Sequence, residues 1–467
     1  MRIAKVFPRP RQARSLQLAE GLLACNGRKT ITGMIRGAGR DQQDWSADYR
    51  FFSEAKWELS ELSAALTTEV ARVVEPSYPF VAALDDTICR KSGFRIPGVA
   101  YRRDPMSPPF HVNFIPGQRF VQLSLMVPQN DPGSARSIPV CFEHVPTIAK
   151  LPKDATEEQN KAYRAEQRTN ALANHGLRLI SEARANLDRA GQEARRLIVG
   201  VDGSYTNEKV LKHLPERSTL IGRIRKDAKF FFLPEDQPHV GRPRKYGKRA
   251  PTPEDIRTDQ TILWEHVDAF ATGRMHSFRI KTVPLLLWEK AGVNRPVRLV
   301  VIAPLSYRLR KDSKILYKKP AFLICTDPDL PLESVVQYYV WRWDIEQNHR
   351  DEKQLIGVGQ AQVRSAQSAA RVPAFAVACY SVLMLAAIQA YGNATTIDDL
   401  LLPKWQKRSA RTRVRIPTAN MIERAQLGRL RCGPPINFND FETKVAASLK
   451  LPKSFFTLDQ ALDIAMN

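Results

Sequence analysis

No two of the six cysteines form a C-x-x-C pair: Cys25, Cys89, Cys141, Cys325, Cys379 and Cys432 lie scattered along 467 residues. That spacing argues against a zinc knuckle or a disulfide framework and fits reduced cytosolic thiols. The opening stretch, MRIAKVFPRPRQARS, has basic residues but no apolar core of signal-peptide length, so a cytoplasmic location is expected. No repeat of fixed period is visible, which argues against a solenoid. Acids are scarce beside bases: 48 Asp and Glu against 71 Lys and Arg leave a formal charge of +23. Such an excess favours a polyanionic partner, nucleic acid first and an anionic membrane second. One uncharged run, VPAFAVACYSVLMLAAIQAY from Val372, approaches bilayer-spanning length. It stands alone and carries Pro373, Ser381 and Gln389, so a buried core helix is the expectation and no membrane partner is inferred.

What is present divides into five stretches. Residues 1–75 read as a helical domain, with SEAKWELSELSAALTTEVARVV the clearest helix and Thr30 a cap before TITGM. Short helices with basic connections suit a DNA reader, and generic helical packing gives the same pattern. Residues 76–226 alternate strand signals (FVAALDD, RFVQLSLMVP, RRLIVGVDGSY, TLIGRIRK) with a long charged helix over roughly Thr156 to Ala194. Residues 227–331 lose the helical period and read as a β-rich insertion. Helical signal returns over 332–392, and 393–467 is a basic C-terminal segment. The order implies an α/β fold with a mixed core interrupted by a β domain.

Acids stand at the ends of two apolar runs: Asp85 and Asp86 close FVAALDD, and Asp202 closes LIVGVD. A carboxylate there emerges at the sheet edge, where open α/β sheets place their sites. Asp before Gly is equally a common turn residue. Further on, YYVWRWDIEQNHRDEK places Tyr339, Arg342, Glu346, Arg350 and Lys353 at steps of three and four, hence on one helical face. Arg342 to Glu346 could be an ordinary surface ion pair. Yet Val335, Val336, Ile345 and Leu355 supply an apolar flank, and Trp341 and Trp343 are awkward on a free surface.

Tyr339, Arg342, Glu346 and Lys353 match Y-x2-R-x3-E-x6-K, and this stretch resembles the third catalytic segment of bacterial insertion-sequence DDE transposases. VDGSY is similar to the second segment of that family and LDDT to the first, and the likeness extends to GLLACNGRKTITGM and FFSEAKW. The resemblance implies a ribonuclease-H-like mixed sheet with flanking helices and a β-rich insertion between the second and third acids. It also implies a cut-and-paste transposase that acts on double-stranded DNA as a homodimer and uses two Mg²⁺ or Mn²⁺ ions. Three acids suit that chemistry, because hard divalent cations take carboxylate oxygens. The set is Asp85, Asp202 and Glu346, with Asp86 open as the alternative to Asp85; Asp85 is preferred because Asp85-Asp86-Thr87 fits a D-x-S/T form. The resemblance assigns Tyr339, Arg342 and Lys353 to DNA phosphates, and His349 is read as packing or a minor phosphate contact.

Other basic clusters are less specific. Arg242, Arg244 and Lys245 in GRPRKYGKR resemble half of a minor-groove hook, with a solvated loop the alternative. Arg411, Arg413 and Arg415 in KWQKRSARTRVR, together with Arg350, are further phosphate-binding candidates. In related enzymes an aromatic of the insertion stacks on a flipped base. Trp264 and Trp288 are the candidates here, beside the plainer reading that a β domain needs core tryptophans.

Overall fold

A computed structural model describes residues 3–108, 110–129, 133–234, 244–292, 295–308, 313–391 and 417–432. Four helices come first: α1 (Arg9–Ala24), α2 (Ile31–Gly37), α3 (Ser46–Ser53) and α4 (Leu59–Val73). Thr30 caps α2, its hydroxyl accepting from the Gly33 N–H at 3.1 Å. On α4, Leu62, Leu66 and Val70 recur every four residues and are buried. These helices are not a free-standing unit. Phe7, Phe51, Phe52 and Trp57 pack their rings together and against Phe375, far along the chain. Arg371 locks the contact by donating to the carbonyls of Ala55 and Trp57, both at 2.8 Å. The expected boundary near residue 75 therefore separates helices from strands, but both sides share one hydrophobic core.

The strands are β1 (Phe80–Arg90), β2 (Ala100–Arg103), β3 (Phe114–Pro128), β4 (Ala135–Val145), β5 (Leu197–Val201) and β6 (Ser218–Arg223), then β7 (Glu265–Ala271), β8 (Arg274–Leu286), β9 (Val297–Ile302), β10 (Ser306–Tyr307), β11 (Leu316–Tyr317) and β12 (Ala321–Cys325). Ten of them form one sheet in the order β2-β3-β1-β5-β6-β12-β9-β8-β7, with β4 also paired to β3. β1, β3 and β4 run antiparallel, whereas β1, β5 and β6 run parallel. This large mixed sheet with flanking helices makes the chain α/β, and it is consistent with a ribonuclease-H-like core. Of the strands in 227–331, β10 and β11 pair apart as a two-stranded sheet, whereas β7, β8, β9 and β12 continue the large one: β12 pairs with β6, Leu323 opposite Arg223.

Helices α5 (Glu157–Thr169) and α6 (Leu172–Arg189) lie between β4 and β5, followed by α7 (Glu208–Lys212), α8 (Pro253–Thr258), α9 (Leu332–Trp341), α10 (Asp344–Gln354), α11 (Ala366–Tyr391) and a last described helix, Thr418–Cys432. The single charged helix expected from Thr156 is thus two, broken at Asn170–Ala171; Thr156 and Gln159 form its capping box. α11 is the apolar run read from Val372, and 94% of its most apolar window is buried inside the protein.

Alternation along β1 divides two cores. Phe80, Ala82 and Leu84 face the larger one, with residues of α4, α6 and α11. Val81 and Ala83 face the smaller one, with Val335, Val336, Trp341 and Ile345 of α9 and α10. Each Val, Leu or Ile so buried contributes roughly 1.5–3 kcal/mol, and the smaller core is what holds α9 and α10 on the sheet.

Candidate active site

Parallel pairing of β1 with β5 sets Leu84 opposite Val201. The next residues are Asp85 and Asp202, so two acids emerge side by side. Asp202 leaves the strand in a turn that its own side chain builds: the Ser204 N–H donates to Oδ1 at 2.9 Å and the Ser204 hydroxyl to Oδ2 at 3.2 Å. Asp85 is half-buried within β1. Burial, and then the charge of Asp202, push its carboxyl up to about 7, against the pull of Arg342 and of the Asp86 N–H, which donates to Oδ1 at 2.8 Å.

The two adjacent acids face opposite ways. Asp85 follows Val81 and Ala83 toward α9 and α10, while Asp86 follows Ala82 and Leu84 to the other side. There it meets Arg119, whose Nε lies 3.3 Å from Oδ2; burial raises this carboxyl too, with Arg119 opposing.

The third segment is not one continuous helix. α9 ends at Trp341 and α10 begins at Asp344, and between them the N–H groups of Trp343, Ile345 and Glu346 each bond three residues back, at 3.1–3.2 Å. The junction is a tightened 3₁₀-like turn, so the even spacing expected along one face is reset at Arg342. The backbone can come this close to the sheet because residue 200 is glycine: a Cβ there would stand 3.3 Å from the Cβ of Arg342.

Arg342 is the centre of the site. Its Nη1 lies 3.5 Å from Oδ2 of Asp85, and its Nη2 donates to Oε1 of Glu346 at 3.2 Å. Its guanidinium also lies 5.7 Å from the Tyr339 ring centre. Burial opposes its charge, yet Tyr339, Asp85 and Glu346 together raise its pKa. Asp85 and Glu346 are thus joined through a guanidinium. Among the described residues no three His, Cys, Asp or Glu side chains close around one metal-sized point. The donor set itself, all carboxylate oxygen, fits a hard divalent ion.

The remaining expected residues disperse. Lys353 is half-buried one turn from His349; burial, then the charge of Lys353, push His349 down to about 3, so it packs as a neutral ring. Arg350 does not join the acids: it is exposed, pairs with Asp351 at 3.1 Å, and lines a cavity of about 490 Å³ on another side of α10. Arg244 and Lys245 are exposed, whereas Arg242, Arg411, Arg413 and Arg415 lie outside the described residues. Trp288 is 5% exposed and packs against Phe230, which fits the plainer reading of a core tryptophan. Trp264 is half-buried over the ammonium of Lys281, 4.6 Å from its ring centre. That lysine is buried because it caps α8, donating to the carbonyls of Ile256, Arg257 and Asp259.

Three neighbours were not read from the sequence: Gly200, Ser204 and Gln122, the last directly opposite Asp85 on β3. DGS is a turn signal that points to Ser204. Nothing local announces the others, which reach the site through strand pairing.

A family model described as DDE superfamily endonuclease matches residues 2–282. The match includes both strand-end acids and stops before α10. No curated protein matches the chain.

Proposed function

Because the chain belongs to the DDE superfamily endonucleases, we propose that it is a cut-and-paste DNA transposase, which cleaves double-stranded DNA at the ends of a mobile element and joins the 3′-hydroxyls to a target. The observation that carries this reading is the clasp of Arg342 on Asp85 and Glu346, beside Asp202 on the next strand. A surface ion pair would have no reason to join a helix carboxylate to one at the end of a buried strand.

Asp85, Asp202 and Glu346 would hold two Mg²⁺ or Mn²⁺ ions, which when bound activate a water or 3′-hydroxyl and stabilise the leaving oxygen of an in-line displacement. The protein's own groups bind and orient the strand. Arg342 offers a planar fork and Lys353 a point charge to phosphate oxygens, and Tyr339 backs the guanidinium. Exposed bases such as Arg244, Lys245 and Arg350 bind the phosphates of the duplex without reading sequence. Pairing two element ends calls for two copies of the chain, so a DNA-bound homodimer is part of the reading.

The test is a strand-transfer assay with a pre-cleaved 3′-hydroxyl end and a plasmid target. Joined product is expected with Mg²⁺ or Mn²⁺ and is expected to vanish in Glu346→Gln while DNA binding persists. Cleavage without joining would reduce the activity to that of an endonuclease. DNA binding without any metal-dependent nicking would indicate a domesticated DNA-binding protein.

A further inference from the structure

The edge of the sheet beyond the acids is unusually apolar for a surface. Phe94, Tyr101, Met106, Phe110, Val112 and Phe114 are all exposed and fall within one short stretch; Tyr101 is 67%, Phe114 63% and Phe110 90% accessible. Exposed aromatics in such density mark a binding face, since scattered single residues would need no explanation.

Strand register fixes which way this face looks. Asp85 lies opposite Gln122 on β3, and Tyr101 and Arg103 of β2 lie opposite Pro116 and Phe114 of the same strand. Residues 114, 116 and 122 are separated by even steps, so Tyr101, Arg103 and Phe114 share the sheet face of Asp85. Phe94 joins them, its ring centre 5.0 Å from that of Tyr101. At about 3.3 Å per residue, Tyr101 sits roughly 20 Å along the strand from the acids, or about six steps of a nucleic-acid strand at 3.4 Å each.

The charge around these rings selects the occupant. Between residues 90 and 119 the chain carries six Arg and Lys and one acid, Asp104. Arg90, Arg95 and Arg103 are exposed and have no ion-pair partner among the described residues. A second copy of this basic chain would bring like charge to the same patch. Aromatic rings beside free guanidiniums suit a nucleic-acid strand, the rings taking base faces and the arginines phosphates. Bases in a duplex already cover one another's faces, so the fit is to unpaired nucleotides.

We infer that Phe94, Tyr101, Arg103 and Phe114 form a stacking platform for unpaired DNA bases at the outer end of the sheet face that carries Asp85. The inference rests on the DNA-enzyme reading above and adds a site to it. The test uses the full chain without divalent metal, so that nothing is cut, and follows fluorescence anisotropy of a labelled duplex with a single-stranded thymidine tail against the same duplex blunt. Wild-type protein is expected to prefer the tailed duplex by about tenfold or more, in line with the stacking of even one base. Tyr101→Ala with Phe114→Ala should abolish the preference and leave blunt-duplex affinity unchanged, and Tyr101→Trp should keep it. Both changes lie on the exposed surface, and thermal unfolding checks that the fold persists. Equal affinity of wild type for both duplexes, or a preference that survives the double substitution, would overturn the platform alone. Binding to neither would overturn the DNA reading along with it. Conversion of a dimer to a monomer by the double substitution, read by light scattering with the tail preference intact, would give the face to a second copy.

Discussion

Arg342 reaches from the junction of two helices to pair with Asp85 on the central strand at 3.5 Å, and its other terminal nitrogen holds Glu346 at 3.2 Å. One guanidinium thereby supplies the positive charge that two of the three proposed ligands require.

Removing that charge leaves two carboxylates facing each other. Arg342→Gln is expected to lower the melting temperature in metal-free buffer. The loss should be less than the ~3–5 kcal/mol of a fully buried pair, because Glu346 is partly exposed. Added Mn²⁺ should restore more stability to the variant than it confers on wild type, since the ion takes over the neutralising role. Differential scanning fluorimetry with and without Mn²⁺ measures this, and equal metal shifts in the two proteins would contradict it.

Neighbouring acids on a strand are separable by the face each occupies. Asp85→Asn is expected to reduce metal-dependent nicking by more than the ~10–100-fold typical of groups one layer away from a metal. Asp86→Asn, on the far face with Arg119, should retain activity to within about tenfold. A reversal of that order would make Asp86 the ligand.

Glu352 gives a pH signature of folding. It is fully buried beside Gln122 with one oxygen lacking a hydrogen-bond partner, and burial raises its carboxyl from the ordinary 4.5 to about 8. Below pH 4.5 it is protonated whether the chain is folded or not, so its contribution is most favourable there. As pH rises toward 8 the unfolded chain ionises first, and the folded state loses ground by about 1.36 kcal/mol for each unit of difference. Glu352→Gln should therefore stabilise the protein at pH 9 by a few kcal/mol, with the gain fading toward pH 4. Urea melts across this range would show the trend, and a pH-independent difference would mean that Glu352 stays ionised in the fold.

Gly200 tests how closely the helix junction must sit. A methyl group there stands 3.3 Å from Arg342 Cβ, so Gly200→Ala has to push the junction outward by a few tenths of an ångström. Nicking is expected to fall by about tenfold, short of the ~100-fold that a full 1 Å misplacement costs, while affinity for blunt duplex stays within a factor of about two. Unchanged activity would mean that the junction has slack.

Much of the site was legible because its residues announce themselves locally. Asp85 and Asp202 end apolar runs, and Tyr339, Arg342 and Glu346 carry a spaced motif, so strand ends and a helix could be inferred without seeing their contacts. The structure adds what only pairing creates: Gln122 lies next to Asp85 although the two are 37 positions apart, and Asp86 is turned away by alternation that begins at the core. The helix break at Arg342 has no local sign, since neither Gly nor Pro marks it. The strands of 227–331 were recognised as β-rich, but no local signal says that β12 would dock on β6, and a self-contained domain was the simpler expectation. Likewise nothing local to Trp288 or Trp264 names the neighbours that pack them, Phe230 and Lys281.

The joining of β12 to β6 also orders events during synthesis. Arg223 waits about a hundred residues for Leu323, and until then the outer edge of β6 offers unpaired amides and carbonyls to whatever it meets. The acids of β1 and β5 have been synthesised by that stage, whereas Arg342 and Glu346 have yet to leave the ribosome. A truncation between these points would leave an adhesive half-sheet with two unneutralised aspartates, so proteolytic or translational arrest in this interval should yield aggregates instead of a smaller working nuclease.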